Sequence, residues 1–279
     1  MSEIKKRNKC FIYKNDLKFS SKFDLEQSEF GSDAIQSIYK NFKDKPKIEL
    51  RIEDSKIENY NYLDLSRLEI DNEHLMKLFE LKKIDYILSR IDFLDLSNNK
   101  LTQMPDLSKY SNIKYLSVSF NQIDGDIIDN NLIELSCHNN TIRSISSNKI
   151  THLSASNNKI TQIDVPKVKI LHVNFNKINW IPSLINLKYL ECIGNHIQKI
   201  DNMLELEELY IGSNNLVSIT NMPKLKILNC VNNPIKKIKY FPTLNTLMTS
   251  VANISSQYNL SGMEKCKSDY IINFIPFSN

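Results

Sequence analysis

Hydrophobic residues make up 41% and charged residues 24% of the 279-residue chain, the balance of a folded globular protein rather than a disordered or membrane-embedded one. Five glycines, none near another and none in a Gly-Lys-Ser/Thr run, exclude glycine-rich phosphate loops and dinucleotide fingerprints. The net charge of +4 comes from 36 basic and 32 acidic residues mixed along the chain, so no basic block implies nucleic acid.

Charges at Glu3, Lys5, Lys6, Arg7 and Lys9 leave no room for an apolar leader core, and no apolar run approaches the ~18 residues needed to span a bilayer. Five cysteines, an odd number without CxxC or finger spacing, fit neither a disulfide framework nor a zinc site. These features predict a cytoplasmic protein (host cytoplasm if viral) with no metal, no cofactor and no membrane partner.

In chain order, residues 1–44 carry a predicted short strand at Lys9–Tyr13 and an amphipathic helix at Ser32–Phe42, and are expected to act as an N-terminal cap. Residues 45–255 are repetitive. Ile48–Ile52 and the set Tyr60, Leu63, Leu65, Leu68 and Ile70 are one or two degenerate copies, followed by an insertion between Asp71 and Ser89 with helical spacing at Asn72–Phe79. Eight intact copies follow, from Ile91-x-x-Leu94-x-Leu96-x-x-Asn99-x-Leu101 to Leu225-x-x-Leu228-x-Cys230-x-x-Asn233-x-Ile235. A ninth, Leu244/Leu247/Thr249/Ala252/Ile254, has lost its asparagine, as terminal repeats often do. Residues 256–279 are expected to form a C-terminal cap, with a capping-box pattern at Ser261–Glu264 and an apolar tail at Tyr270–Ile275.

The pattern L-x-x-L-x-L-x-x-N-x-L, matched from Ile91 to about Ile254, resembles that of the leucine-rich repeat family. The resemblance implies a right-handed α/β solenoid with a parallel concave sheet. It also implies a non-enzymatic scaffold that binds a protein partner on that concave face. A monomer is the favoured oligomeric state. The alternative is the recognition arm of a ubiquitin-ligase adaptor or effector whose activity resides in another chain. Asparagine-to-asparagine intervals of 22, 19, 18, 18, 19, 19 and 19 residues are too short for a helix on each convex turn. Apolar residues there step by three, as in Ile160–Ile163, which predicts 3₁₀ or extended segments and hence a shallow arc. Such short repeats resemble the phosphatase-regulatory subclass. Isoleucine (37) and asparagine (34) are over-used, partly through the repeat and partly as in AT-rich genomes such as those of large DNA viruses, protists or AT-rich bacteria.

Position in the repeat then assigns roles. The ladder Asn99, Asn121, Asn140, Asn158, Asn176, Asn195, Asn214 and Asn233 is structural, because an amide carries both donors and an acceptor for turn backbone groups. Cys137, Cys192 and Cys230 fill leucine slots and are expected to be buried, reduced thiols. Residues alternating with the leucines face outward on the concave side. Serines such as Ser117, Ser119, Ser136 and Ser154 line its early strands, while Tyr189, Glu191 and Tyr210 crowd the later ones. Candidate partner-binding residues are Tyr115, His152, His172, Tyr189, Glu191 and Tyr210. A metal site at His138, His152 and His172 is rejected, because His152 and His172 should lie ~8 Å apart on strand spacing and no carboxylate completes a tetrahedron. The serines lack a His-Asp relay, and Glu134 with Glu191 or Glu208 lacks the desolvation a glycosidase acid requires. Trp180 is expected on the convex side, partly packed.

Overall fold

The computed structural model describes residues 22–23, 50–55, 60–235, 241–249 and 273–274. The predicted strand at Lys9–Tyr13, helix at Ser32–Phe42 and capping box at Ser261–Glu264 lie outside the described residues, as does most of the apolar tail.

Each copy puts two apolar residues two apart, so a short strand there turns both to one side. The strands are β1 (Lys22–Phe23), β2 (Leu50–Ser55), β3 (Tyr60–Asp64), β4 (Phe93–Asp95), β5 (Tyr115–Ser117), β6 (Asp124–Ile128), β7 (Glu134–Ser136), β8 (Thr141–Ser146) and β9 (His152–Ser154). They continue as β10 (Gln162–Asp164), β11 (Ile170–His172), β12 (Tyr189–Glu191), β13 (Lys199–Asp201), β14 (Glu208–Tyr210), β15 (Ser218–Thr220), β16 (Ile227–Asn229), β17 (Thr246–Thr249) and β18 (Asn273–Phe274). The large sheet runs β1-β2-β3-β4-β5-β7-β9-β11-β12-β14-β16-β17-β18. From β3 to β17 it is parallel, one strand per turn, and the register stacks Leu63, Leu94, Leu116, Leu135, Leu153, Leu171, Leu190, Leu209, Leu228 and Leu247 in a single buried row.

The Ile48–Ile52 segment departs from its expected role. Its described part lies in β2, which pairs antiparallel with β3, whereas solenoid turns pair in parallel. It therefore extends the sheet edge without being a repeat copy. The Tyr60 copy does pair in parallel with β4.

The insertion forms two helices, α1 (Asn72–Phe79) and α2 (Lys82–Leu88). Asp71 caps α1, its Oδ1 accepting the His74 N–H at 2.9 Å, and Leu75 and Leu78 face the core. This turn has the length for helices; later turns do not. Their return sides are extended, and among the described residues no 3₁₀ helix occurs. Instead β10-β8-β6 and β13-β15 form two small parallel sheets. Between them, Trp180-Ile181-Pro182 occupies the position of β10 and β13, and Pro182 has no N–H to offer a ladder. Ile181 keeps the core slot at 3% exposure, so Trp180 points the other way. Trp180 is therefore 64% exposed rather than partly packed.

Two columns of turn residues hold successive strands together. Every consensus asparagine accepts a backbone N–H of the preceding turn on Oδ1 and donates through Nδ2 both within its own turn and backward. Asn158, for example, accepts from Ile142 at 3.0 Å and donates to Ala155 at 3.1 Å and Cys137 at 3.0 Å. Asn195 repeats this with Ile178, Cys192 and Val173. The residue before each asparagine is left-handed, from Asn98 (φ 56°) and Phe120 (φ 55°) to Phe175 (φ 53°), Gly194 (φ 67°) and Asn232 (φ 55°). Asparagine and glycine tolerate this conformation best. At Gly194 space favours glycine as well, because a Cβ there would stand 2.7 Å from the Phe175 ring and force that exposed side chain to shift.

Candidate functional site

The parallel register dictates which side chains meet on the open face of the large sheet. Strands β11, β12 and β14 set His172 beside Glu191, Glu191 beside Tyr210, and Tyr189 beside Glu208. Tyr189 and Glu191 on β12 are thus met by Glu208 and Tyr210 on β14 in reversed order. The result is a square of two tyrosines and two glutamates on adjacent strands.

Hydrogen bonds hold the tyrosine and glutamate of each strand together, and the two rings meet across the strands. Glu191 Oε2 accepts from His172 Nδ1 at 3.0 Å and from Asn174 Nδ2 at 3.0 Å, and its Oε1 accepts from the Tyr189 hydroxyl. Tyr210 donates to Glu208 Oε2 at 3.2 Å. Asn174 is itself fixed, since its Oδ1 accepts the Ile193 N–H at 2.8 Å. The rings lie in series, with His172 and Tyr189 centroids 5.1 Å apart and Tyr189 and Tyr210 centroids 5.6 Å apart. Such spacing suits favourable tilted aromatic pairs.

The electrostatics follow from these bonds. The His172 hydrogen bond foremost, aided by those from Tyr189 and Asn174, outweighs desolvation and draws the Glu191 carboxyl down to about 2. A carboxylate this acidic carries no proton to donate, so His172 Nδ1 supplies the hydrogen of their bond. Burial, then the bond to Glu191, pushes the Tyr189 hydroxyl well above the usual phenol range. Burial and the Glu208 charge push Tyr210 up to about 12.

The other two sequence-predicted residues stand apart. His152 on β9 pairs across to Glu134, Nδ1 to Oε1 at 3.4 Å, and its Nδ1 also lies 2.8 Å from Thr151 Oγ1. Tyr115 on β5 is four strand steps from Tyr189, about 19 Å at normal sheet spacing. The square also includes Glu208 and uses Asn174, neither of which the sequence reading selected for partner binding. Glu208 was legible as the cross-strand neighbour of Tyr189; Asn174 was not, because its role depends on side-chain torsions. Among the described residues, no group of three or more His, Cys, Asp or Glu is placed to hold a metal. A cavity of about 360 Å³ lies on the return side, lined in part by Met104, Leu107, Ile128 and Leu132, and contains none of these site residues.

No family model matches the chain, and no curated protein matches it. Solved structures do. The LRIM1 leucine-rich repeat domain superposes with a TM-score of 0.56 over 74% of this chain and 72% of that one, at 18% identity. The chain has the leucine-rich repeat fold. A leucine-rich repeat protein of Leptospira interrogans gives 0.55 over 77% and 56% at 21% identity, and YopM from Yersinia enterocolitica gives 0.53 over 60% and 44% at 21%. The chain spans less than two thirds of these last two proteins. A chain of the LRIM1/APL1C complex is also matched, at a TM-score of 0.56 and 20% identity over 74% of this chain and 46% of that one. In this leucine-rich repeat array the square occupies the strand positions of two consecutive turns, with His172 on the turn before, and the asparagine ladder runs along the turns that follow the strands.

Proposed function

We propose that this leucine-rich repeat solenoid is a non-enzymatic scaffold that binds a protein partner on the open, concave face of its large sheet, centred on β11, β12 and β14. The observation that carries this reading is the hydrogen-bonded square of Tyr189, Glu191, Glu208 and Tyr210. Tyrosines are frequent energetic anchors of protein interfaces, and rings already held in place lose little rotamer freedom on binding. LRIM1, one of the fold's neighbours, is itself found in a protein complex. A non-catalytic role is supported by Glu191, whose lowered pKa is opposite to what a general acid requires. The reading places the protein in the cytosol, in keeping with the lone, buried thiols of Cys137, Cys192 and Cys230.

The test is quantitative affinity capture from host cytosol with the wild-type chain, Ser117→Ala and the single variants Tyr189→Ala and Tyr210→Ala. A partner of this face is retained by Ser117→Ala, and each tyrosine variant weakens its purified complex by more than about 1 kcal/mol. Equal, negligible effects from all three variants would move the site off this face.

A further inference from the structure

The partner-binding reading leaves the chemistry of the partner open, and the distribution of charge narrows it. The chain as a whole is basic, with 36 Lys and Arg against 32 Asp and Glu. On the open face the sign reverses. From β11 to β17 no face position described holds a Lys or Arg, and the acids there are Glu191 and Glu208. Lysines of the same turns neutralise carboxylates elsewhere. Lys224 meets Glu205 at 2.6 Å, Lys226 meets Glu207 at 2.6 Å and Lys199 meets Asp201 at 2.7 Å, and none of these acids is on the face. Among the described residues neither Glu191 nor Glu208 has a Lys or Arg within ion-pair distance.

The two face carboxylates differ in what they have left to offer. Glu191 already takes three donors. Glu208 takes one, from Tyr210 to Oε2, which leaves Oε1 for a donor from outside. Beside it stand the tilted rings of Tyr189 and Tyr210 with centroids 5.6 Å apart. Ring faces next to a carboxylate are complementary to a guanidinium or ammonium group, which gains a charge-assisted hydrogen bond and a cation–π contact together. Half-buried Ile193 and Ile227 flank the square, offering apolar surface to the methylene stem of such a side chain.

Building on the partner-binding reading above, we propose that the face takes a basic polypeptide segment and seats an Arg or Lys side chain against Glu208, over the outer faces of the Tyr189 and Tyr210 rings. A polypeptide is the occupant because the square spans adjacent strands of an open sheet that cannot enclose a small cation. Glu191 and Glu208, with no Lys or Arg beside them on the face of these strands, also orient such a segment as it approaches.

A random-peptide display library panned against the full chain supplies the test, with Tyr189→Ala and Glu208→Gln as counter-targets and their melting curves as the check on folding. The expected binders are rich in Arg and Lys, weaken with added salt, and lose about tenfold in affinity on either substitution. Binders that require Tyr189 but are neutral or acidic and indifferent to Glu208→Gln would overturn the basic segment while leaving the face as the binding surface. Binders indifferent to both substitutions, or a library that yields none, would overturn the partner-binding reading and this inference with it.

Discussion

Strands β5 to β9 and strands β11 to β14 share one parallel register and one asparagine ladder, yet their open faces differ in kind. In the first region Ser117, Ser119 and Ser136 are buried, and the hydroxyls of Ser119 and Ser136 bond to each other at 2.8 Å. In the second, Tyr189, Glu191, Glu208 and Tyr210 stand half-buried and bond among themselves. The backbone and the ladder are therefore common structure, and the face positions vary on top of them. Core and open face are carried by alternate residues of the same three-residue strand.

If that separation holds, the ladder should matter equally under both regions. Asn158→Ala and Asn195→Ala each leave turn backbone groups unsatisfied and are expected to cost ~1–3 kcal/mol in equilibrium denaturation. Markedly unequal costs would tie the ladder to the face chemistry. A wild-type midpoint for both would show the bonds to be dispensable.

Gly194 sharpens the contrast, because it lies in the turn just after β12. Gly194→Ala puts a Cβ against the Phe175 ring at a left-handed φ and should cost ~1–2 kcal/mol in the same measurement. Combining it with Phe175→Ala should recover the steric part of that loss and leave the backbone part.

The smallest difference is expected at the core thiols. Cys137 belongs to the serine-lined region, Cys192 and Cys230 to later turns, and all three are at most 1% exposed. Burial raises the pKa of each, that of Cys230 to about 11. In a Cys10→Ser/Cys266→Ser background, native labelling of the three should be uniformly slow and become fast on unfolding. Rapid native labelling of one would place it outside its leucine slot.

The sequence carried the solenoid because its signal is repeated. Leu94 through Leu228 and Asn99 through Asn233 report the same register many times over, and the helical insertion was marked by apolar spacing at Leu75 and Leu78. Non-repeated features were less readable. Nothing local distinguishes Leu50–Ile52 as antiparallel, since strand direction is set by long-range pairing. The split of the return-side sheet at Pro182 follows from a missing N–H, but only once the flanking turns are known to pair. The left-handed column of Asn98, Asn139, Asn157 and Asn232 gives a physical reason for part of the asparagine excess that composition alone does not supply. At the face, strand position could be read for Tyr189, Glu191 and Tyr210. Which hydroxyl meets which carboxylate depends on rotamers and could not be read.

The face is expected to be assembled before any partner arrives, and Glu191 reports on the His172, Tyr189 and Asn174 side of it. Its folded-state pKa of about 2 lies below the ordinary 4.5, so its stabilising contribution is present above pH 4.5 and lost as pH falls toward 2. Glu191→Gln should flatten that limb of the stability curve. The direct measurement is a site-resolved NMR titration of the Glu191 side-chain carboxyl carbon in the free, full-length protein. A midpoint well below 4, close to 2, is the predicted result, whereas an ordinary midpoint near 4.5 would contradict the preassembled square.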